Sequence, residues 1–475
     1  MRHFACRFLA ASSVACLALA AGAATRPRYG GTLRVEIPAK PSSFDATDSP
    51  DVAEAEAALK LHALIYDRLV RLDPQGQPEA AIAISWEHDA QAANWRFKLR
   101  PGVKWQDGAP LTPEEVVMAL QGQAAGASVR LAGDVLEIDA GGPSPGLLTT
   151  LATDAGLTIR RSAVGTTLLQ GGSPGTLPIG TGPFRLTSWE PRRRAVLQAN
   201  EDYWDGRPYL DTIEIQMGRA SRDELLDLEI GKADVVELDP VEARRAQQEG
   251  KIVWTSAPVE LLCLRFGLNR PAVQDRRVRL ALADSIDRAA IQKVLLQNYG
   301  DVAGSIFPQW LSGYTFLFPT AMNLEQARQL RGEIGVAPTL KVGYDPSDTL
   351  ARQTAERVAV NARDAGITLQ VVPLPEGWRQ MPEGVDLVIQ RARFDGPIMD
   401  KGQMGATATA WLPITGAGGP EQAYAAERQF VDSLAVIPLI HIPELLGIGS
   451  RVMDWSPTPW GAWRLESVSL EGEKP

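Results

Sequence analysis

Between residues 99 and 120 the chain alternates extended and helical chemistry at such short range that only a fold mixing strands and helices accommodates it. Trp95, Phe97 and Leu99 alternate with Arg96 and Lys98, the period-2 pattern of a half-buried strand. Pro101-Gly102 then makes a turn, because proline presets one dihedral and glycine accepts the positive one a tight reversal often needs. A short strand, 103–105, leads into a second turn at Asp107-Gly108. Thr112 follows, with Pro113 at the first helical position and Glu115 three residues after the threonine. That spacing predicts a capping box, in which the hydroxyl accepts from an orphan N–H and the glutamate reaches back to the threonine's own N–H. Lys104, Asp107, Glu114 and Glu115 resemble an acid–base cluster, yet turn and capping chemistry accounts for the acids and the strand pattern for the lysine.

A chain of 475 residues exceeds a single core, so two or three domains are expected. With 45% hydrophobic and 22% charged residues it can bury them. The first segment stands apart: Arg2 and Arg7, an apolar run over 8–21 and Ala21-Gly22-Ala23 read as a signal peptide, 1–24, cleaved near residues 23–24. The run is too short and alanine-rich for a membrane span, and nothing later approaches twenty apolar residues. Cys6 and Cys16 fall in this leader and leave Cys263 alone, so packing rather than a disulfide must stabilise the exported chain. Ser13-Val14-Ala15-Cys16 lacks the leucine of a lipidation site, so a cleaved, periplasmic protein is expected rather than a lipoprotein. The net charge of −9 and the lack of a basic run exclude a nucleic-acid footprint.

In order, residues 32–37 alternate as a first strand, and 53–72 read as a helix broken by Asp73-Pro74-Gln75-Gly76. A strand hairpin is expected at 131–140 and strands at 184–189, 194–199, 210–217 and 233–236, with a short helix at 221–230. Residues 261–268 are strand-like, and 275–288 form an amphipathic helix whose arginines should face solvent while Val278, Leu282 and Ile286 face the core. A βαβ unit spans 339–372, with a Gly366 stop after its helix. Strands at 386–390 and 437–442 flank a helix at 420–434.

Several segments then add up to a family. Gly30-Gly31-Thr32-Leu33, Ser43-Phe44-Asp45, Tyr66-Asp67-Arg68-Leu69-Val70, Leu99-Arg100-Pro101-Gly102-Val103-Lys104-Trp105-Gln106-Asp107-Gly108, Gly180-Thr181-Gly182-Pro183-Phe184, Asn200-Glu201-Asp202-Tyr203-Trp204 and Arg277-Val278-Arg279-Leu280-Ala281-Leu282 with Ile286-Asp287-Arg288 stand in one characteristic order. The chain thereby resembles the extracytoplasmic solute-binding proteins of peptide, dipeptide, oligopeptide and nickel importers of the ATP-binding-cassette (ABC) type. The resemblance implies an α/β, two-lobed periplasmic-binding-protein fold with mixed sheets, two crossover strands and an extra small subdomain in the first lobe. It implies lobe one at 25–265, with the subdomain at about 73–179, lobe two at 266–439, and a return to lobe one at 440–475. The crossovers would lie near 264–268 and 439–442. The chain departs from the family between Gly122 and Gly180, which is short, and in lobe two, where an aspartate-tyrosine-aspartate-like segment is here Arg393-Phe394-Asp395-Gly396-Pro397-Ile398-Met399-Asp400. What normally follows is largely replaced by residues 402–419.

A peptide site of this family offers an acid to the ligand's amino terminus, and the segment carrying it matches here at Asp395 or Asp400. Arg391 and Arg393 beside them suit either a ligand carboxylate or an ion pair with those aspartates. Trp411, Trp310 and Tyr314 are the aromatic candidates of lobe two, and Phe44 and Asp45 are the candidate contacts from lobe one. His62, His88 and His441 show no metal-ligand spacing, and no nucleophile elbow or phosphate loop occurs, so no cofactor, metal or enzymatic activity is expected. The expected function is a monomeric periplasmic receptor that captures a peptide or similar small solute and delivers it to an inner-membrane ABC permease. The alternative is a degenerate relative acting as a sensing or protein-interaction module.

Overall fold

A computed structural model describes residues 28–43, 52–121, 127–153, 156–161, 177–312, 317–335, 339–375, 378, 380–394, 420–459 and 461–471. The chain opens with β1 (Thr32–Ile37) and α1 (Val52–Ile65), followed by the short strands β2 (Asp67–Arg68), β3 (Val70–Leu72) and β4 (Pro78–Ala80). Next come β5 (Ala83–His88), β6 (Asn94–Leu99), α2 (Pro113–Gln121), β7 (Ser128–Ala132), β8 (Val135–Asp139), α3 (Leu147–Thr153) and β9 (Thr158–Ile159). The segment from β10 (Phe184–Glu190) through β11 (Arg194–Ala199), β12 (Thr212–Met217), α4 (Ser221–Glu229), β13 (Val235–Glu237) and α5 (Pro240–Gln248) ends in the long strand β14 (Ile252–Phe266). Beyond it lie α6 (Pro271–Gln274), α7 (Arg276–Ser285), α8 (Arg288–Ala290), β15 (Asp301–Val302), α9 (Gln309–Ser312) and α10 (Leu324–Glu333). The βαβ unit is β16 (Thr339–Tyr344), α11 (Thr349–Asp364) and β17 (Thr368–Pro373), and β18 (Leu387–Arg393), α12 (Pro420–Asp432) and β19 (Val436–Ile448) follow.

One mixed sheet runs through the molecule in the order β10-β11-β12-β1-β13-β19-β14-β18-β16-β17, with β15 beside β19. β1 lies parallel between β12 and β13, and β16 parallel between β17 and β18, so the sheet carries a parallel α/β unit toward each end, with β11 and β10 added antiparallel beyond β12. Between these ends β14 and β19 pair antiparallel from Ile252 opposite Ile448 to Arg265 opposite Val436. Their two halves belong to different cores. Leu446 and Ile448 pack with Leu33, Val35, Ile213 and Ile215, whereas Leu261, Leu262, Ile437 and Ile440 pack with Leu282, Leu340 and Val358. The change of core falls around Val259 in β14 and between Ile442 and Leu445 in β19, close to the expected crossover in β19 and a few residues before it in β14. Register shifts lie between Thr255 and Pro258 and between Pro258 and Glu260. Such bulges bend a strand and re-aim its side chains.

A third core belongs to the small sheet β5-β6-β8-β7 with α2 and α3, built on Trp95, Phe97, Trp105 and Leu136. Its capping box forms as expected: Thr112 N donates to Glu115 Oε2 at 3.0 Å and Glu115 N to Thr112 Oγ1 at 3.3 Å. Glu115 also accepts from the indole of Trp105 at 2.9 Å, which fastens the helix start to the preceding turn.

Two expectations are corrected. The helix predicted over 53–72 ends at Ile65, because its last carbonyl is claimed from outside: Ile65 O accepts from Gly182 N at 2.9 Å and from Gln106 Nε2 at 2.9 Å, and the chain turns into β2 and β3. A Cβ on Gly180 would stand 2.1 Å from that oxygen, so the approach requires glycine. The arginines of α7 do not all face solvent. Arg279 is buried and donates to Val273 O at 2.6 Å and Ser433 O at 3.0 Å, and Arg288 just beyond is buried against Pro438 O at 2.9 Å. Both guanidiniums donate to backbone carbonyls.

Candidate functional site

Where β14 and β19 pass between the cores, charged side chains from several elements meet. On α1, Glu56 and Lys60 are one turn apart and share a face. On β18, Arg391 and Arg393 alternate to the same side of the strand, and Glu260 of β14 stands directly opposite Arg393 in the ladder. Glu237 ends β13, and Glu444 interrupts the apolar run of β19.

Lys60 Nζ lies among three carboxylates, 3.3 Å from Glu56, 3.5 Å from Glu237 and hydrogen-bonded to Glu444. Arg393 Nη1 is 2.6 Å from Glu56 and 3.8 Å from Glu260, and its Nη2 is 3.7 Å from Glu444. Arg391 Nε donates to Glu260 at 2.6 Å, and its Nη1 is 3.5 Å from Asp348, whose other oxygen caps α11 through Ala351 N. The seam therefore sets five carboxylates against three cations.

Burial disfavours every charge here, and the local imbalance decides which groups keep theirs. Burial opposes ionisation of Glu56, yet Arg393 and Lys60 hold its carboxyl below the ordinary range. At Glu237 burial wins: Lys60 offsets it only in part, Glu444 and Glu56 add repulsion, and the pKa rises. Burial likewise raises Glu260 despite Arg391. Lys60 resists burial through Glu237, Glu444 and Glu56, which hold its ammonium more firmly protonated than usual.

Glu56, Glu237 and Glu444 bring carboxylate oxygens within 4.8 Å of one another, a spacing a metal ion would accept. Here the protein's own ammonium already stands among them. Nucleophilic chemistry finds no support in the described residues: burial pushes the Cys263 thiol up to about 12 and the His441 imidazole down to about 4, so both are neutral near pH 7. The arrangement is suited to binding and to holding the two cores together.

Of the residues singled out in the sequence, the seam gathers Arg391 and Arg393, and their carboxylate partners are glutamates from α1, β14 and β19 together with Asp348. Trp310 makes no contact with the charged groups of the seam among those described; its indole donates to Pro258 O at 2.7 Å and it packs against the core of the small sheet. Asp395, Asp400, Trp411, Tyr314, Phe44 and Asp45 lie outside the described residues. Glu56, Lys60, Glu237, Glu260 and Glu444 escaped notice in the sequence. The signal for two of them was present: Lys60 within Leu59-Lys60-Leu61 and Glu444 within Ile442-Pro443-Glu444-Leu445-Leu446 are lone charges in runs that must be buried, and buried charges need partners.

Comparison with known proteins agrees with this architecture. Residues 77–418 match the family described as bacterial extracellular solute-binding proteins, family 5, middle region. The chain is 24% identical over 298 residues to the oligopeptide-binding protein AppA of Bacillus subtilis, covering 59% of this chain and 54% of that one. It is 26% identical over 368 residues to the nickel-binding protein NikA of Staphylococcus aureus, covering 72% and 70%. The chain thus spans between about half and about two thirds of the length of these curated relatives. Among solved structures it is similar to the periplasmic binding protein DppA of Helicobacter pylori in complex with a peptide, with a TM-score of 0.78 at 18% identity over 94% of this chain and 99% of that one. NikA of Staphylococcus aureus in complex with Ni(L-His)2 gives a TM-score of 0.74 at 19% identity over 93% and 100%. The likeness establishes the fold, an α/β architecture of two lobes joined by crossing strands.

Proposed function

Since this chain belongs to the bacterial extracellular solute-binding proteins of family 5, we propose that it is the receptor of an ABC-type importer, capturing a peptide or similar small solute between its lobes and passing it to a permease in the inner membrane. The observation that carries this reading is the charged seam at the junction of the two cores, where Glu56 of the first meets Arg393 of the second. Hinge closure around a solute is the motion such a junction serves. On this reading lobe one comprises residues 25–265 with the small subdomain, lobe two 266–439, and 440–475 return to lobe one. The leader, 1–24, directs export, and the protein works as a monomer in the periplasm. No described helix is long and apolar enough to cross a membrane. The cleft wall carries Arg391 and Arg393, with Asp395, Asp400, Trp411, Trp310, Tyr314, Phe44 and Asp45 as the candidate solute contacts around it.

The test is thermal: the exported protein is screened against peptide and metabolite mixtures by melting. A cognate solute at a hundredfold excess over its Kd stabilises the folded state by about 2.7 kcal/mol, which a melting curve resolves. Broad screens that give neither a melting shift nor a contraction in solution scattering would remove peptide or small-solute capture as the function.

A further inference from the structure

We propose that the contact between Glu56 and Arg393 is a latch that sets how far the two lobes stand apart in the protein without solute. It joins the cores directly. Glu56 sits on α1 next to Ala57, which packs with Leu61 into the first core, and Arg393 sits on β18 between Ala392 and Phe394, both in the second. The two side chains are 13% and 8% exposed and approach to 2.6 Å. At that burial the pair is little screened by salt, and either charge left alone would be costly.

The neighbours of each partner give the contact its switching property. Arg393 lies opposite Glu260 in the ladder between β18 and β14, and a rotation of one lobe about the crossing strands leaves that ladder pair together. Glu444, 3.7 Å from the other guanidinium nitrogen, lies on β19 where that strand changes core. Glu56 instead moves with α1, and Lys60, one turn along the same helix, moves with it at 3.3 Å. Opening therefore separates Glu56 from Arg393 and leaves each with a charged partner, Lys60 on the same helix for Glu56 and Glu260 across the β14–β18 ladder for Arg393. Two arrangements that both satisfy their buried charges are the requirement for a two-state element with a modest gap.

This inference rests on the reading of the chain as a two-lobed receptor but needs no solute, so a failed solute screen and a failed latch are separate results. Solution scattering is recorded on the full exported chain, stripped of bound solute by partial denaturation and dialysis, for the parent, Glu56→Gln, Arg393→Gln and the double variant. Each single variant is expected to show a larger radius of gyration than the parent and a broader distance distribution. The double is expected to open no further than either single, because both changes remove one contact. Glu56→Gln is isosteric and decides the matter if Arg393→Gln does not fold. Scattering curves of folded variants that superimpose on the parent, even with lowered melting temperatures, would overturn the latch and leave the pair a purely structural one.

Discussion

Asp67 illustrates what a single residue can hide in a sequence. In the motif Tyr66-Asp67-Arg68-Leu69-Val70 it reads as an ordinary polar position, yet its carboxyl is buried and accepts from Tyr203 Oη at 3.2 Å and Trp204 Nε1 at 2.8 Å. Burial pushes its pKa up to about 7 from 3.8, although the bonds from Trp204 and Tyr203 favour the ionised form. The sign follows from linkage: a carboxyl whose pKa is raised on folding adds stability that is fully present below its unfolded pKa and is lost as pH rises through the folded one. The window is thus about pH 4 to 7. Asp67→Asn, which keeps an acceptor but cannot ionise, should remove this dependence. The stability of the parent relative to the variant is expected to fall by on the order of a few kcal/mol between pH 4.5 and 8, at about 1.4 kcal/mol per pKa unit. Denaturant melts at both pH values measure it, and a constant difference would refute the assignment. The sequence showed that Tyr203 and Trp204 belong to a recurring motif, but nothing in either segment states that the two motifs meet.

Elements were legible wherever their cause is local. The helix α2 was placed by Thr112, Pro113 and Glu115, residues within one turn of each other, and the reciprocal bonds of the box are present. Thr112→Ala is expected to cost about 1 kcal/mol, read as a lowered urea midpoint. A retained midpoint would mean that Trp105, through its bond to Glu115, already fixes the helix start. The hairpin of β7 and β8, the strands β10, β11 and β12 and the βαβ unit were equally readable from alternation and turn residues. Illegible were features set by distant partners. The end of α1 at Ile65 depends on Gln106 and Gly182, and burial of Arg279 and Arg288 depends on carbonyls of Ser433 and Pro438. A helical wheel assigns arginine to water because it knows nothing of backbone acceptors elsewhere in the chain.

In the whole molecule, three cores adjoin at the crossing of β14 and β19. The short helix α9 links two of them: its Leu311 packs on the second core, while Trp310 packs on the core of the small sheet and its indole bonds to Pro258 O. Trp310→Ala should therefore destabilise by about 3 kcal/mol, the low end for a large aromatic because the residue is half-buried. Denaturant melts followed at the small sheet and at the second lobe are expected to lose their coincidence, since the contact couples the two. Coincident transitions of unchanged midpoint would show that it does not.

The amino-acid sequence was sufficient for the mixed α/β class, the capped helix between residues 113 and 121, the order of the strands and the family these imply. All rest on interactions within a few residues or on motifs held in a fixed order. Folding alone produced the charged seam. Lys60 and Glu444 are 384 residues apart along the chain yet hydrogen-bonded, and Arg393 meets Glu56 of α1 only because the pairing of β18 with β14, and of β14 with β19, brings Arg393 to this junction. A period-2 pattern says which residues share a face of one strand; which residue stands opposite on the next strand is decided by pairing across the whole sheet.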